Sequence, residues 1–418
     1  MSTRSNRILR RLVIVLGTIV ALIVAIGALP LFLWATAKPL HPEPQNVPSA
    51  VQSEPSPQWA AAVGRARQIV RAVLSEQNLP GLSVAVGVGG DLVWAEGFGW
   101  ADVETRAPVT PQTPFRMGTA STALTSAAVG VLLEKERVKL DEEIQAYVPQ
   151  FPKKPWPVTL RQLMRQASGV GIEATDDWQL SSQRCERAAD ALPVFADGPL
   201  LFQPGTQFRQ SPQGWVLVSA ALEAAAERPF LSFMRDQVFQ PLGMAHTGAE
   251  SAKEENPEHI GEDAEDPPPF RGIHEVIIKP WRVLTGTEGE SAAQESTRPA
   301  TYYVPQFGPH PVYQYALHVA GLRNLSCYAG SMAFFSTPSD LVRFELAMNS
   351  GRLLRPATVQ SLEAFGRTAG GYDGELLGGK IMSVVTVRER GIVVAAMSNI
   401  TSADTSAVAR EVGDAFAK

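Results

Sequence analysis

A hydroxyl attacks a carbonyl only when a neighbouring group takes its proton, so the chemistry open to this chain depends on which serines and threonines have such a partner. The segment Thr119-Ala120-Ser121-Thr122 gathers three hydroxyls at the start of a helical run predicted over 120–136. A lysine one helical turn beyond a serine would share its helix face. None of the nine lysines has a serine or threonine three residues before it. The GxSxG elbow of a Ser-His-Asp hydrolase does not occur either. The histidines His41, His246, His259, His274, His310 and His318 show no HExxH or other ligand spacing and read as surface or turn residues. The acidic run Glu262-Asp263-Ala264-Glu265-Asp266 lacks the glycine and spacing of a calcium loop. No metal or cofactor is therefore expected. Cys185 and Cys327 belong to no CxxC or metal-spaced cluster; a buried free thiol is the expected state, with pairing in an oxidising compartment as the alternative.

The elements that must position these hydroxyls are legible from periodicity. Residues 59–77 carry helical apolar spacing through Ala62, Ala66, Val70 and Val73, and LPGL ends that helix. LSVAVGV and LVWAEGF flank Gly89-Gly90-Asp91, a two-strand hairpin with a glycine turn. The glycines of VGVGG and GFGW are no dinucleotide fingerprint, because no phosphate-facing helix follows them. Further helices are predicted at 159–166, 213–227, 230–239, 338–349 and 356–365. MSVVTV and GIVVAAMSN, split by Arg388-Glu389-Arg390, read as two strands before a closing helix over about 402–416. Strands at both ends around a helix-rich middle predict an α/β (α+β) fold: one antiparallel sheet built from both termini, flanked by helices, plus a mainly helical subdomain. The stretch 250–297 is acidic, proline-bearing and weakly periodic, and predicts a surface insertion over about 250–320.

The N-terminus carries a membrane signal. No charged residue occurs from Leu12 to Ala37, and Arg4, Arg7, Arg10 and Arg11 precede that stretch. About 20 apolar residues cross a bilayer core, so 12–35 is expected to be a transmembrane helix. Arginines at one end only keep residues 1–11 in the cytoplasm and export the rest of the chain, to the periplasm in a Gram-negative cell. Ala35-Thr36-Ala37 resembles a signal-peptidase site, but the apolar stretch exceeds the ~7–15 residues of a signal core, which favours an uncleaved anchor. Residues 36–57, with six prolines over 38–57, read as an extended linker lifting a domain at 58–418 off the membrane. Net charge is −5, and removing the four N-terminal arginines leaves −9 on the remainder. No basic patch is thus available for a nucleic acid.

Several stretches, in order, resemble the β-lactamase-related serine hydrolases and penicillin-binding D,D-peptidases. Phe115-Arg116-Met117-Gly118, Leu140-Asp141 and Tyr147-Val148-Pro149 match family elements in spacing. So do VTLRQLMRQASG, FQPGTQF, VFQPLGMAHT and FSTPSDLVRF, and together the matches cover most of residues 80–400. The resemblance implies the family fold. It also implies an SxxK tetrad at Thr119-Ala120-Ser121-Thr122, a Y-x-N motif at Gln210-Ser211-Pro212, and a K-T-G or H-T-G motif at Arg367-Thr368-Ala369.

All three motifs depart from the family pattern. Thr119 stands at the nucleophile position, with Ser121 as the alternative, and Thr122 replaces the lysine. Gln210 cannot act as an acid or base, and Pro212 lacks both the amide side chain and a backbone donor. Arg367 keeps a positive wall, while Ala369 adds a methyl group beside Thr368 where glycine admits substrate. The expected protein is a membrane-anchored pseudoenzyme that binds a peptidoglycan peptide, a β-lactam-like compound or an envelope protein. The alternative is an active serine or threonine hydrolase, a D,D-peptidase, esterase or β-lactamase-like enzyme, with an unconventional base.

Overall fold

A computed structural model of the chain describes residues 15–18, 36–172, 178–181, 183–249, 299–305, 310–312, 315, 317–320, 324–362 and 370–418. Two hydrophobic layers sandwich one sheet. Its strands are β1 (Ser49–Val51), β2 (Gly81–Val88), β3 (Asp91–Asp102), and from the C-terminal part Gly371–Leu376, Gly379–Val387 and Ile392–Ser398. The order is β1, β3, β2, Ile392–Ser398, Gly379–Val387, Gly371–Leu376, with Ala107–Pro108 paired on β3. The expected joining of the two termini is present: Ala395 lies opposite Ala85 and Met397 opposite Ser83 in antiparallel register. Strands covered on both faces are apolar throughout rather than alternating, which is why VVAAM reads as an unbroken run.

On one face helix α1 (Ala60–Glu76) and the C-terminal helix Thr405–Ala417 pack on Val84, Val86, Phe98, Val394 and Ala396. The other face carries the helical part: α2 (Ser121–Glu134), α3 (Leu160–Met164), α4 (Pro212–Ala226), α5 (Phe230–Met234), α6 (Pro338–Asn349) and α7 (Pro356–Leu362). The C-terminal helix is α8. The hairpin turn falls on Gly89 (φ 62°) and Gly90 (φ 104°), as its glycines predict.

Three of the motif stretches meet in a small sheet. Strand β4 (Phe115–Arg116) and β5 (Gly248–Ala249) both pair with β9 (Phe334–Ser336). The buried Asp340 carboxylate accepts from His246 N at 2.8 Å and Thr247 Oγ1 at 2.9 Å, locking the PLGMAHT turn onto α6. Burial raises the Asp340 pKa despite these donors.

Two stretches differ from expectation. Residues 40–52 are packed on the domain: Val47 is buried, β1 pairs with β3, and Gly99 N donates to Pro48 O at 2.9 Å. In the second, the part of the predicted insertion after residue 298 carries strands. Strands β6 (Tyr303–Pro305), β7 (His310–Val312) and β8 (Leu317–Val319) form a sheet of their own, ordered β6-β8-β7. Tyr303, Leu317 and Val319 alternate into the core, and the fully buried Tyr303 accepts from Val103 N at 2.8 Å. Residues 250–298, with the acidic run, lie outside the described residues. Among the described residues no helix is long and apolar enough to cross a membrane. The span expected at 12–35 lies outside them apart from 15–18.

Candidate functional site

The site is built where the N-terminus of α2 meets an edge strand. Met117 N donates to Phe334 O at 2.9 Å, which ties the chain entering α2 to β9. Gly118 comes next with φ 54°, and a side chain there would run into the Glu375 carbonyl. The 3-10 turn Gly118–Ala120 then presents Thr119, partly exposed, before α2 begins at Ser121.

The facing strand, β10 (Gly371–Leu376), is the outermost strand of the large sheet among the described residues, and pairs inward with β11 (Gly379–Val387) and through it with β12 (Ile392–Ser398). A bulge falls between Gly374 and Glu375. Gly374 lies against Met117 and Ala120, where a β-carbon would collide with the Met117 carbonyl. The Glu375 amide donates to Thr119 Oγ1 at 3.0 Å. A backbone donor is thus aimed at the hydroxyl in the nucleophile position. The residues facing the turn are therefore Gly374 and Glu375, which motif matching did not single out. A glycine at the third place of Tyr372-Asp373-Gly374 was the available signal. Arg367, Thr368 and Ala369 lie outside the described residues.

The other hydroxyls are engaged structurally. Thr122 Oγ1 donates to Thr119 O at 2.9 Å, closing the turn rather than deprotonating anything. Ser121 is fully buried and its Oγ accepts from Phe334 N at 3.3 Å, so it faces β9 instead of solvent. Among the described residues no lysine, histidine or carboxylate side chain hydrogen-bonds Thr119 or Thr122.

Edge strand β10 is fixed from its opposite face. Asp373 Oδ1 accepts from Ser383 Oγ at 2.6 Å and from Ser406 Oγ at 3.1 Å, and its Oδ2 lies 2.8 Å from Lys380 Nζ. Burial pushes the Asp373 carboxyl upward, but the Lys380, Ser383 and Ser406 bonds outweigh it and hold the pKa below the usual value. Lys380 is committed to this cluster on the α8 side of the strand.

Gln210 sits on a separate shoulder. Gln166 organises it by accepting from Arg209 N at 2.9 Å through its backbone carbonyl and from Ser211 N at 2.7 Å through Oε1. Ser211 caps α4, its Oγ accepting from Gly214 N at 3.0 Å and donating to Val170 O at 2.6 Å. Pro212 occupies the first helical position, where its missing N–H costs nothing. Gln210 and Pro212 line a shallow cleft of about 190 Å³ with Gly171, Ile172, Leu201, Arg209, Ser211 and Gln213. Thr119 and Thr122 are not among its walls.

Cys185 and Cys327 form a disulfide, correcting the expected free thiols. Folding brings the loop before Ala188–Val194 onto the 3-10 segment Ser326–Ser331, a proximity that a separation of 142 residues conceals. No cluster of three or more His, Cys, Asp or Glu residues able to hold a metal occurs among the described residues.

A terminal-strand sheet, a helical subdomain and a hydroxyl at the head of a buried helix facing an edge strand define a serine-hydrolase-like architecture. The chain belongs to the β-lactamase family, whose model matches residues 66–417. It is 27% identical over 257 residues to the mitochondrial serine β-lactamase-like protein LACTB of Homo sapiens, covering 45% of this chain and 47% of that protein. Protein flp of Staphylococcus aureus is 23% identical over 183 residues, covering 43% of this chain and 36% of flp. The chain thus spans less than half the length of these curated relatives. Among solved structures, the octameric penicillin-binding protein homologue from Pyrococcus abyssi shares the fold at a TM-score of 0.60 and 18% identity, over 85% of this chain and 77% of that one. The D-amino acid amidase from Ochrobactrum anthropi does so at 0.60 and 17%, over 85% and 97%.

Proposed function

We propose that this β-lactamase-family protein binds its ligand without acylating itself, and that it does so as a membrane-anchored protein outside the cytoplasm. The observation that carries the reading is the surroundings of Thr119. Its hydroxyl has the backbone donor of Glu375, and among the described residues no side chain able to take its proton hydrogen-bonds it. A positioned general base contributes typically ~10²–10⁴ in rate, and covalent catalysis by a hydroxyl depends on it. Binding depends on it much less. A ligand carbonyl can take the Glu375 N–H in place of the threonine hydroxyl, and the Gln210 cleft offers carboxamide and guanidinium groups to a polar ligand. A peptidoglycan peptide or a β-lactam-like compound has suitable amides and carbonyls, and an envelope protein could present the same groups.

The uncharged stretch at 12–35 supports anchoring, and the Cys185–Cys327 disulfide supports an oxidising compartment. An active hydrolase is favoured only by the alignment of the Glu375 amide on Thr119, which preserves the polarising donor but supplies no base. Labelled penicillin distinguishes the two readings. Neither the unmodified protein nor Thr119→Ser is expected to form a stable adduct, since residue 122 remains threonine. Adding Thr122→Lys to Thr119→Ser puts an amine one helical turn from the hydroxyl and is the variant expected to label. Labelling of the unmodified protein that disappears in Thr119→Ala would overturn the proposal.

A further inference from the structure

The path from the apolar N-terminal stretch to the domain is short. Leu40 N donates to Asn78 Oδ1 at 2.7 Å, Ser75 Oγ donates to His41 O at 2.7 Å, and the buried His41 ring bonds Pro80 O at 3.3 Å. Asn78 in turn donates to Tyr315 O at 3.0 Å, and Gln52 N donates to Ala95 O at 3.0 Å where β1 ends. The chain is therefore part of the domain from Leu40 onward. A membrane span over 12–35 leaves residues 36–39 as the tether. Four residues reach at most about 14 Å when fully extended.

That reach is shorter than strand β2. β2 starts at Gly81, directly after Pro80, and its eight residues run about 23 Å to Val88. The docked end of β2 is also the end that carries the candidate site. Ser83 pairs with Met397, Met397 with Met382, and Met382 with Gly374, so one row across the sheet joins β2 to the strand facing Thr119. Three strand spacings place Gly374 about 14 Å from Ser83.

We infer that the tether holds this end of the sheet against the lipid headgroup layer, with the Gly89-Gly90-Asp91 hairpin tip at the far end. The partner of this surface is the bilayer itself. A ligand reaching Thr119 then arrives from the layer next to the headgroups rather than from bulk solution. The inference rests on the reading of 12–35 as an uncleaved anchor.

The test uses the full chain in liposomes carrying a headgroup-linked fluorescence acceptor. A fluorescent amino acid replaces either Glu76, exposed beside the docked segment, or Asp91 at the hairpin tip. Transfer from position 76 is expected to exceed that from position 91 by about twofold or more, given the ~23 Å offset along the strand. Inserting a flexible Gly/Ser segment of about 20 residues after Ala37 should remove the difference by lengthening the tether. Equal transfer from both positions, in protein that resists carbonate extraction, would overturn the orientation and leave the anchor standing. Release of the protein by carbonate would overturn the anchor reading itself.

Discussion

Removing the Cys185–Cys327 link tests how much of the helical subdomain's order depends on one covalent closure. The cross-link spans 142 residues, and chain-entropy arithmetic for a loop of that size gives about 5 kcal/mol of stabilisation. Domains of ordinary stability have only about 5–15 kcal/mol in total, so the loss is a large share of the whole. Both cysteines are buried, and Cys185 N also donates to Ser326 Oγ at 3.1 Å, so the two segments stay in contact without the bond. The Cys185→Ala/Cys327→Ala variant should therefore fold but unfold earlier. With an m-value of about 3 kcal/mol/M, the urea midpoint should fall by roughly 1.5 M. Thiol titration of the unreduced, denatured protein should find no free cysteine. Two titratable thiols, or a midpoint unmoved by the double substitution, would refute the closure and its contribution.

Gly374→Ala should press a methyl group into the Met117 carbonyl and Ala120, costing about 1–3 kcal/mol and prising β10 from the Thr119 turn. Hydrogen exchange at the Glu375 amide should accelerate with it, and unchanged exchange would show that the strand is not seated there. Asp373 has a folded pKa below its unfolded value, so its contribution to stability is present above about pH 4 and is lost as pH falls through the lower folded value. Asp373→Asn should accordingly cost stability at pH 7 and flatten the acid limb of the stability curve. Parallel acid limbs in the two proteins would exclude a contribution from this carboxylate.

The sheet was legible because its strands are strongly β-branched and its hairpin turn is Gly89-Gly90. Both depend on local sequence, and so do the apolar stripe and closing LPGL of α1. The docking of residues 40–52 was not legible. Proline-rich sequence reads as an extended linker whether or not it has a surface to lie on, and that surface is supplied by Asn78, Ser75 and β3. The strands at 303–319 were hidden by their short runs and by the acidic stretch before them.

At the candidate site, Thr119 and Thr122 were readable from the tetrad's place at the head of a helix. Ser121 looked equally available until burial against Phe334 removed it, because the face a hydroxyl takes is decided by tertiary packing. Glu375 was invisible for a related reason: its contribution is a backbone N–H, and no residue type advertises that. Pairing of the two cysteines depended on a contact across most of the helical subdomain.

The proposal that Thr119 is held in place without a group to activate it is tested by intact-protein mass spectrometry. The protein is incubated with benzylpenicillin and, separately, with an activated p-nitrophenyl ester, and its mass is followed over time alongside Thr119→Ala and Ser121→Ala. The predicted result is an unchanged mass in all three proteins with either compound. A mass increase equal to one acyl group in the unmodified protein, absent from Thr119→Ala, would overturn the proposal and identify a working threonine nucleophile.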